Sequence, residues 1–65
     1  MEILTQEETL ILTRIADGIK DEAIAEEMNC SRATIRNMLM GMFRVTNTPN
    51  RYALIAWGFR NGYLN

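Results

Sequence analysis

The chain lacks the residues from which most metal sites, disulfides and nucleophilic active sites are built. It contains no histidine, and Cys30 is the only cysteine among its 65 residues. A lone cysteine has no partner for an intrachain disulfide, and one thiolate without histidine cannot complete a zinc site. A cysteine nucleophile would also lack its usual base. We therefore expect no enzyme activity, no catalytic residue, no metal and no cofactor.

Long hydrophobic runs and targeting signals are also missing. No apolar stretch approaches the ~18 residues that a membrane span needs, and the segment Met1 to Leu4 has no basic flank of the signal-peptide kind. The sequence therefore predicts a cytoplasmic protein without membrane contact. A chain of this length forms one domain with a marginal core, so either a partner subunit or unusually good helix packing must stabilise it.

Acidic residues are absent from the second half of the chain. Residues 1–27 contain eight acidic and two basic residues, a net charge of −6, whereas residues 28–65 contain five arginines and no acid, a net charge of +5. Such asymmetry is typical of a protein with one surface for a polyanion. The alternative interpretation is a dipolar domain whose two halves attract each other.

Helix start and stop signals predict an all-α domain of four helices, at about 5–17, 21–28, 31–46 and 49–61. The predicted N-caps are Thr5 (in a capping box with Glu8), Asp21, Ser31 and Thr48, which precedes Pro49. The predicted stop signals are Gly18, Asn29, Asn47 and Gly62.

Apolar residues at helical spacing predict which faces form the core. For the first three helices these residues are Ile11, Leu12, Ile15, Ala16, Ile24, Ala25, Met28, Ile35, Met38, Leu39 and Met42. The fourth helix is apolar on two sides. One face, made of Tyr52, Ile55, Ala56 and Phe59, is expected to close the core, and the other, made of Ala53, Leu54 and Trp57, is expected to remain uncovered.

Residues 21–40 have the spacing of a helix-turn-helix motif. Ala25 is small where the two helices would touch, and Asn29 tolerates the left-handed conformation that a sharp turn requires. Cys30 falls at a core position of the turn and is interpreted as a buried small apolar residue. An ordinary helical hairpin is the alternative for this segment taken alone.

Residues matching one known pattern extend over nearly the whole chain. They are Leu4-Thr5, Glu8, Ile15 to Gly18, Ile24-Ala25, Ser31, Thr34 to Arg36, Asn50-Arg51, Ala56 and Arg60 to Gly62. At these distances, and without gaps, the chain resembles the LuxR/FixJ/GerE-type DNA-binding domain as a freestanding unit. The resemblance implies a transcription regulator that binds double-stranded DNA with the helix at 31–46 in the major groove.

The same resemblance assigns roles on that recognition helix. Thr34, Arg36 and Asn37 lie near its start, where Arg36 could pair with guanine and Asn37 with adenine. Ser31, Arg32 and Arg44 are placed for phosphates. Met40 is placed outward, toward either a thymine methyl group or protein. For each arginine the alternative is an ordinary solvated charge.

In the family the last helix forms a homodimer interface. The resemblance therefore implies a dimer whose interface contains Ala53, Leu54, Trp57 and Asn61, with two recognition helices about 34 Å apart on a palindromic site. The alternative is that Trp57 folds over the edge of its own core.

Several positions that are basic in the family are not basic here. Glu22 stands where lysine is common, and Met40 and Gly41 replace residues that are usually polar. Fewer phosphate contacts weaken DNA binding. A second function therefore stays open: an interaction module that pairs with a related full-length LuxR-type regulator and antagonises it.

Overall fold

The computed structural model describes residues 3–65, and this part of the chain contains helices and no strand. The four helices are α1 (Gln6–Ala16), α2 (Asp21–Glu27), α3 (Arg32–Thr46) and α4 (Arg51–Arg60). The all-α prediction is confirmed, and each observed helix lies within its predicted range. None of these helices is both long and apolar enough to cross a membrane.

Local hydrogen bonds explain where α1 begins and ends. The Thr5 hydroxyl accepts from the Glu8 amide at 3.1 Å, and the Glu8 carboxylate accepts from the Thr5 amide at 2.9 Å. Gly18 follows the helix with a φ of 79°, which a residue without a Cβ adopts at little cost. The predicted capping box and stop signal of α1 are therefore both present.

Two of the predicted N-caps are wrong. Asp21 is the first residue of α2, whose N-cap position is Lys20 without a side-chain cap. The Asp21 carboxylate instead pairs with Arg51. The N-cap of α4 is Asn50, whose side chain accepts from the Ala53 amide at 2.9 Å, whereas the Thr48 hydroxyl is hydrogen-bonded to Thr46. An asparagine is a better cap than threonine, so α4 begins after Asn50.

The core lies where α1, α3 and α4 meet, and α2 packs onto α1 and α3. Its largest fully buried side chains come from every helix and from the segment before α1: Leu4, Ile11, Leu12, Ile24, Ile35, Met42 and Leu54. Met28, Cys30 and Met38 are partly buried against this cluster. The core residues predicted for the first three helices therefore belong to the core or pack against it, except Ala16, which is partly buried outside this cluster.

The core-facing side of α4 differs from the predicted one, although Ile55 packs against the core as predicted. Leu54 and Gly58 are buried, whereas Tyr52 is 85% exposed and Phe59 is 52% exposed. A Cβ atom on Gly58 would lie 2.9 Å from side-chain carbons of both Leu12 and Leu64. Because Gly58 has no side chain, α4 packs closely on this face, and the prediction that Tyr52 and Phe59 close the core is wrong.

Candidate nucleic-acid interface

The turn between α2 and α3 sets the direction in which α3 leaves the core. Asn29 adopts a left-handed conformation with a φ of 58°, and the Cys30 amide donates to the Ala25 carbonyl at 2.9 Å. Ala25 is buried, so the end of α2 lies close to its neighbours, while Cys30 is only half-buried. The turn thus anchors the start of α3 against α2.

Two hydroxyl groups organise the first turn of α3. The Ser31 hydroxyl accepts from the Thr34 amide at 3.1 Å and lies 3.0 Å from the Thr34 hydroxyl. Both residues are exposed. The free amides of a helix N-terminus carry partial positive charge and favour anions. This end of α3 therefore offers donors and a favourable potential to a phosphate group.

One side of α3 is exposed along its whole length. We call this side the outer stripe; it consists of Ala33, Arg36, Asn37, Met40 and Arg44, all of them exposed. With 3.6 residues per turn these positions share one face. Ile35, Leu39, Met42 and Thr46 are buried on the opposite face. All seven residues predicted to bind DNA are exposed, four of them on the outer stripe and the others (Ser31, Arg32 and Thr34) at the start of the helix.

The arginines of α3 are free of ion pairs within residues 3–65. The salt bridges of this part of the chain join Arg14 to Glu27, at 2.7 Å, and Arg51 to Asp21. The first lies within the acidic half, so among residues 3–65 the second is the one ion pair that joins the two halves. Attraction between the two halves therefore accounts for Arg51. The guanidinium groups of α3 remain available for a negatively charged ligand.

Asp21 is the acidic group that interacts with the start of α3. The hydrogen bond from Arg51 lowers its pKa, and the positive charges of Arg32 and Arg36 lower it further. Its other oxygen, Oδ1, is buried and has no hydrogen-bond partner within the described residues. Asp21 and Arg51 are thirty residues apart, and nothing in the sequence pattern links them, so sequence analysis missed this pair.

The predicted dimer residues do not form one exposed surface. Leu54 is fully buried in the core of its own chain, so its assignment to an exposed interface is wrong. Trp57 is half-buried and stacks on Tyr63, with ring centroids 5.1 Å apart and an interplanar angle of 22°. Asn61 is exposed, and its side chain donates to the Trp57 carbonyl at 2.8 Å. These contacts agree with the alternative that Trp57 covers the edge of its own core.

A short helix, a tight left-handed turn and a second helix with one free face define a helix-turn-helix domain. The family model "GerE: Bacterial regulatory proteins, luxR family" matches residues 2–57, which is most of the chain. The chain therefore belongs to the luxR family of bacterial regulatory proteins.

A solved structure described as "Structure of Transcription factor, GerE" has the same fold. It superimposes with a TM-score of 0.95 at 22% sequence identity, over 100% of this chain and 97% of the other. Among curated proteins, no sequence is similar enough to count as a match.

Proposed function

We propose that this chain is a sequence-specific transcription regulator that binds double-stranded DNA with α3 in the major groove. The observation that carries the proposal is the outer stripe, on which Arg36 and Arg44 are exposed and form no salt bridge within residues 3–65. Guanidinium groups on one face of a helix suit both base edges and phosphates. Membership of a family of bacterial regulatory proteins supports the same function. A cytoplasmic location is part of this proposal.

The proposed contacts follow from position along α3. Arg36 and Asn37, near the start of the helix, read guanine and adenine through paired hydrogen bonds, with Thr34 beside them at the base edges. Ser31, Arg32 and Arg44 contact phosphates, because they lie at the ends of the helix, where the backbone of the DNA passes. Met40 lies between Arg36 and Arg44 along the outer stripe.

Binding to a random duplex pool at several salt concentrations tests this function. Affinity should fall steeply with salt, and selection should enrich one sequence. Arg36→Ala should lose selectivity by roughly tenfold at one base pair, as expected when a bidentate contact to guanine is removed. Arg60→Ala is the matched control, because it removes the same charge from an exposed residue of α4. Retained selectivity in Arg36→Ala would contradict the role of this residue.

We also propose that the chain forms a homodimer through the exposed side of α4. Tyr52 and Phe59 are seven residues apart, two helical turns, and Ala56 lies between them on the same side. Large exposed apolar groups on one face of a small domain are typical of a protein interface. A dimer built on this face would present two α3 helices to successive turns of DNA, about 34 Å apart.

Sedimentation of charged variants tests the dimer. Phe59→Glu should convert the protein to a soluble monomer, because a carboxylate in an apolar interface is strongly disfavoured. Ile3→Glu is the matched control, since Ile3 and Phe59 are both 52% exposed. The dimer proposal fails if the wild type is monomeric at high concentration or if Phe59→Glu leaves the mass unchanged.

The exposed side of α4 also favours the second function, pairing with a related LuxR-type regulator and antagonising it. In that case the chain would form a heterodimer with a longer family member and would bind no duplex by itself. Duplex binding by the chain alone would support the first function. No duplex binding, together with weaker DNA binding by a related regulator when the chain is added, would support the second.

A further inference from the structure

We propose that Met40 reads the 5-methyl group of a thymine in the major groove, between the contacts made by Arg36 and Arg44. This inference rests on the proposed DNA-binding function and adds a specificity-determining residue to it. Met40 is 56% exposed and is not among the apolar residues that pack against the core. Its side chain therefore contributes little to folding and is free to meet a ligand.

The position of Met40 is set by the helix. Arg36, Met40 and Arg44 follow one another at intervals of four residues, about 6 Å along the axis for each interval. Base pairs are stacked about 3.4 Å apart, so successive members of this series lie within about two base pairs of each other. When Arg36 contacts a base edge and Arg44 a phosphate, Met40 lies between them on the same exposed face of α3, one helical turn from the base that Arg36 reads.

The chemistry of the groove edge then selects the partner. The edges of guanine, adenine and cytosine present hydrogen-bond donors and acceptors there, whereas thymine adds a methyl group. A thioether side chain is apolar, flexible and polarisable, and it packs readily around such a group. A methionine between two arginines thus favours a thymine methyl group over any purely polar edge.

A protein partner on the same stripe is disfavoured by the residues on either side. Covering Met40 with an apolar protein surface would also remove water from Arg36 and Arg44, and burying unpaired charges is costly. DNA covers all three residues at once, because its phosphates and base acceptors pair with the guanidinium groups. The charges that flank Met40 therefore indicate a nucleic-acid partner.

Replacement of thymine by deoxyuridine tests the inference without changing base pairing. A duplex selected by the wild-type protein is resynthesised with deoxyuridine at one thymine at a time, and its affinity is measured. At one position per half-site, we expect the wild type to bind the deoxyuridine duplex about fourfold more weakly than the thymine duplex. This ratio corresponds to the ~0.8 kcal/mol lost when one methyl-sized apolar group is no longer buried. Met40→Ala should bind the thymine and deoxyuridine duplexes equally at that position.

Val45→Ala is the matched control. Val45 is also an exposed apolar residue of α3, at 54%, but it lies off the outer stripe. This variant should retain the fourfold preference for thymine. In a second arm, 5-methylcytosine is compared with cytosine at the same position, and a similar gain from the methyl group is expected if the methyl group itself is read.

The outcomes separate this inference from the proposed function. If no deoxyuridine substitution weakens binding, if Met40→Ala keeps the preference, or if 5-methylcytosine gives no gain over cytosine, the role of Met40 is wrong. Salt-sensitive and sequence-selective binding would still support the proposed function in all three cases. Failure of the wild type to bind any duplex at low salt would instead remove the proposed function itself.

Discussion

Gly41 and Gly58 are both helical glycines, but their surroundings differ. A Cβ atom on Gly41 would meet nothing within 4 Å, whereas one on Gly58 would lie 2.9 Å from carbons of Leu12 and Leu64. Leu12 is fully buried and has little room to move. The absence of a side chain is therefore needed for packing at Gly58 and has no such role at Gly41.

Alanine at these two glycines should have opposite effects on stability. Gly41→Ala should stabilise the protein by about 1 kcal/mol, because alanine is the better helix former. Gly58→Ala gains the same amount of helix propensity but overpacks the core, which costs ~1–3 kcal/mol, so a net loss of about 1 kcal/mol is expected. Urea unfolding of both variants measures the difference. Equal stabilisation of the two would contradict the close packing at Gly58.

At the scale of the elements, local start and stop signals located the four helices, although two of the predicted N-caps, Asp21 and Thr48, were wrong. The bonds between Thr5 and Glu8 and the left-handed Asn47 depend on residues a few positions apart, so they can be predicted from the sequence. The orientation of α4 could not be predicted in this way. From Tyr52 to Phe59 the helix has no charged residue, so no polar side marks the solvent face.

Gly58 was the signal that could have shown the orientation of α4. An isolated glycine within a helix often marks a close packing contact. Here Gly58 packs against Leu12 of α1, and Leu54, one helical turn earlier, lies on the same side of α4. The face that α4 presents to solvent follows from that contact. The outer stripe of α3 was predictable because charged and apolar residues alternate there with helical period, which fixes both sides of that helix.

The ion pair between Asp21 and Arg51 connects α2 and α4, which have no direct packing contact. The hydrogen bond from Arg51 lowers the pKa of Asp21 below its usual value. Because the pKa of Asp21 is lower in the folded chain than in the unfolded chain, the ion pair stabilises the fold fully at pH values above the unfolded-state pKa of about 3.9. This stabilisation is lost as the pH falls through the folded-state pKa. The link between the two helices is therefore sensitive to acid.

Asp21→Asn should reveal this link as a stability difference that depends on pH. At pH 7 the variant should be about 1 kcal/mol less stable than the wild type, because the pair is partly exposed to solvent. In acid, where Asp21 is protonated in the wild type, the difference should approach zero. Glu22→Gln, an exposed position of the same helix, is the control and should show a small difference at both pH values. A constant difference for Asp21→Asn would contradict the prediction.

At the scale of the whole molecule, the two described ends of the chain are joined. The Tyr63 hydroxyl accepts hydrogen bonds from the backbone amides of Ile3, at 2.9 Å, and Leu4, at 3.2 Å. The Tyr63 ring stacks on Trp57, and Leu4 is buried in the core. The segments before α1 and after α4 thus close the same edge of the domain.

Removing the Tyr63 hydroxyl should loosen this closure. Tyr63→Phe leaves two amides without their acceptor, and a loss of about 1 kcal/mol in the free energy of unfolding is expected. Tyr52→Phe removes the same hydroxyl from a side chain that is 85% exposed in the single chain and keeps the apolar ring proposed for the dimer, so it should change stability by less than about 0.5 kcal/mol. Thermal unfolding compares the two variants directly. If both are as stable as the wild type, the bonds to Ile3 and Leu4 do not stabilise the domain.

The bonds of Tyr63 also determine how this domain can be rearranged or transplanted. The segments at Ile3 and Tyr63 lie close together, so a linker of a few residues can connect the two ends of the domain without disturbing the helices. The chain can then be opened at the turn around Gly18, giving a circular permutant with the same core. For the same reason, the domain can be inserted into a surface loop of another protein, because its two ends need insertion points that lie close together.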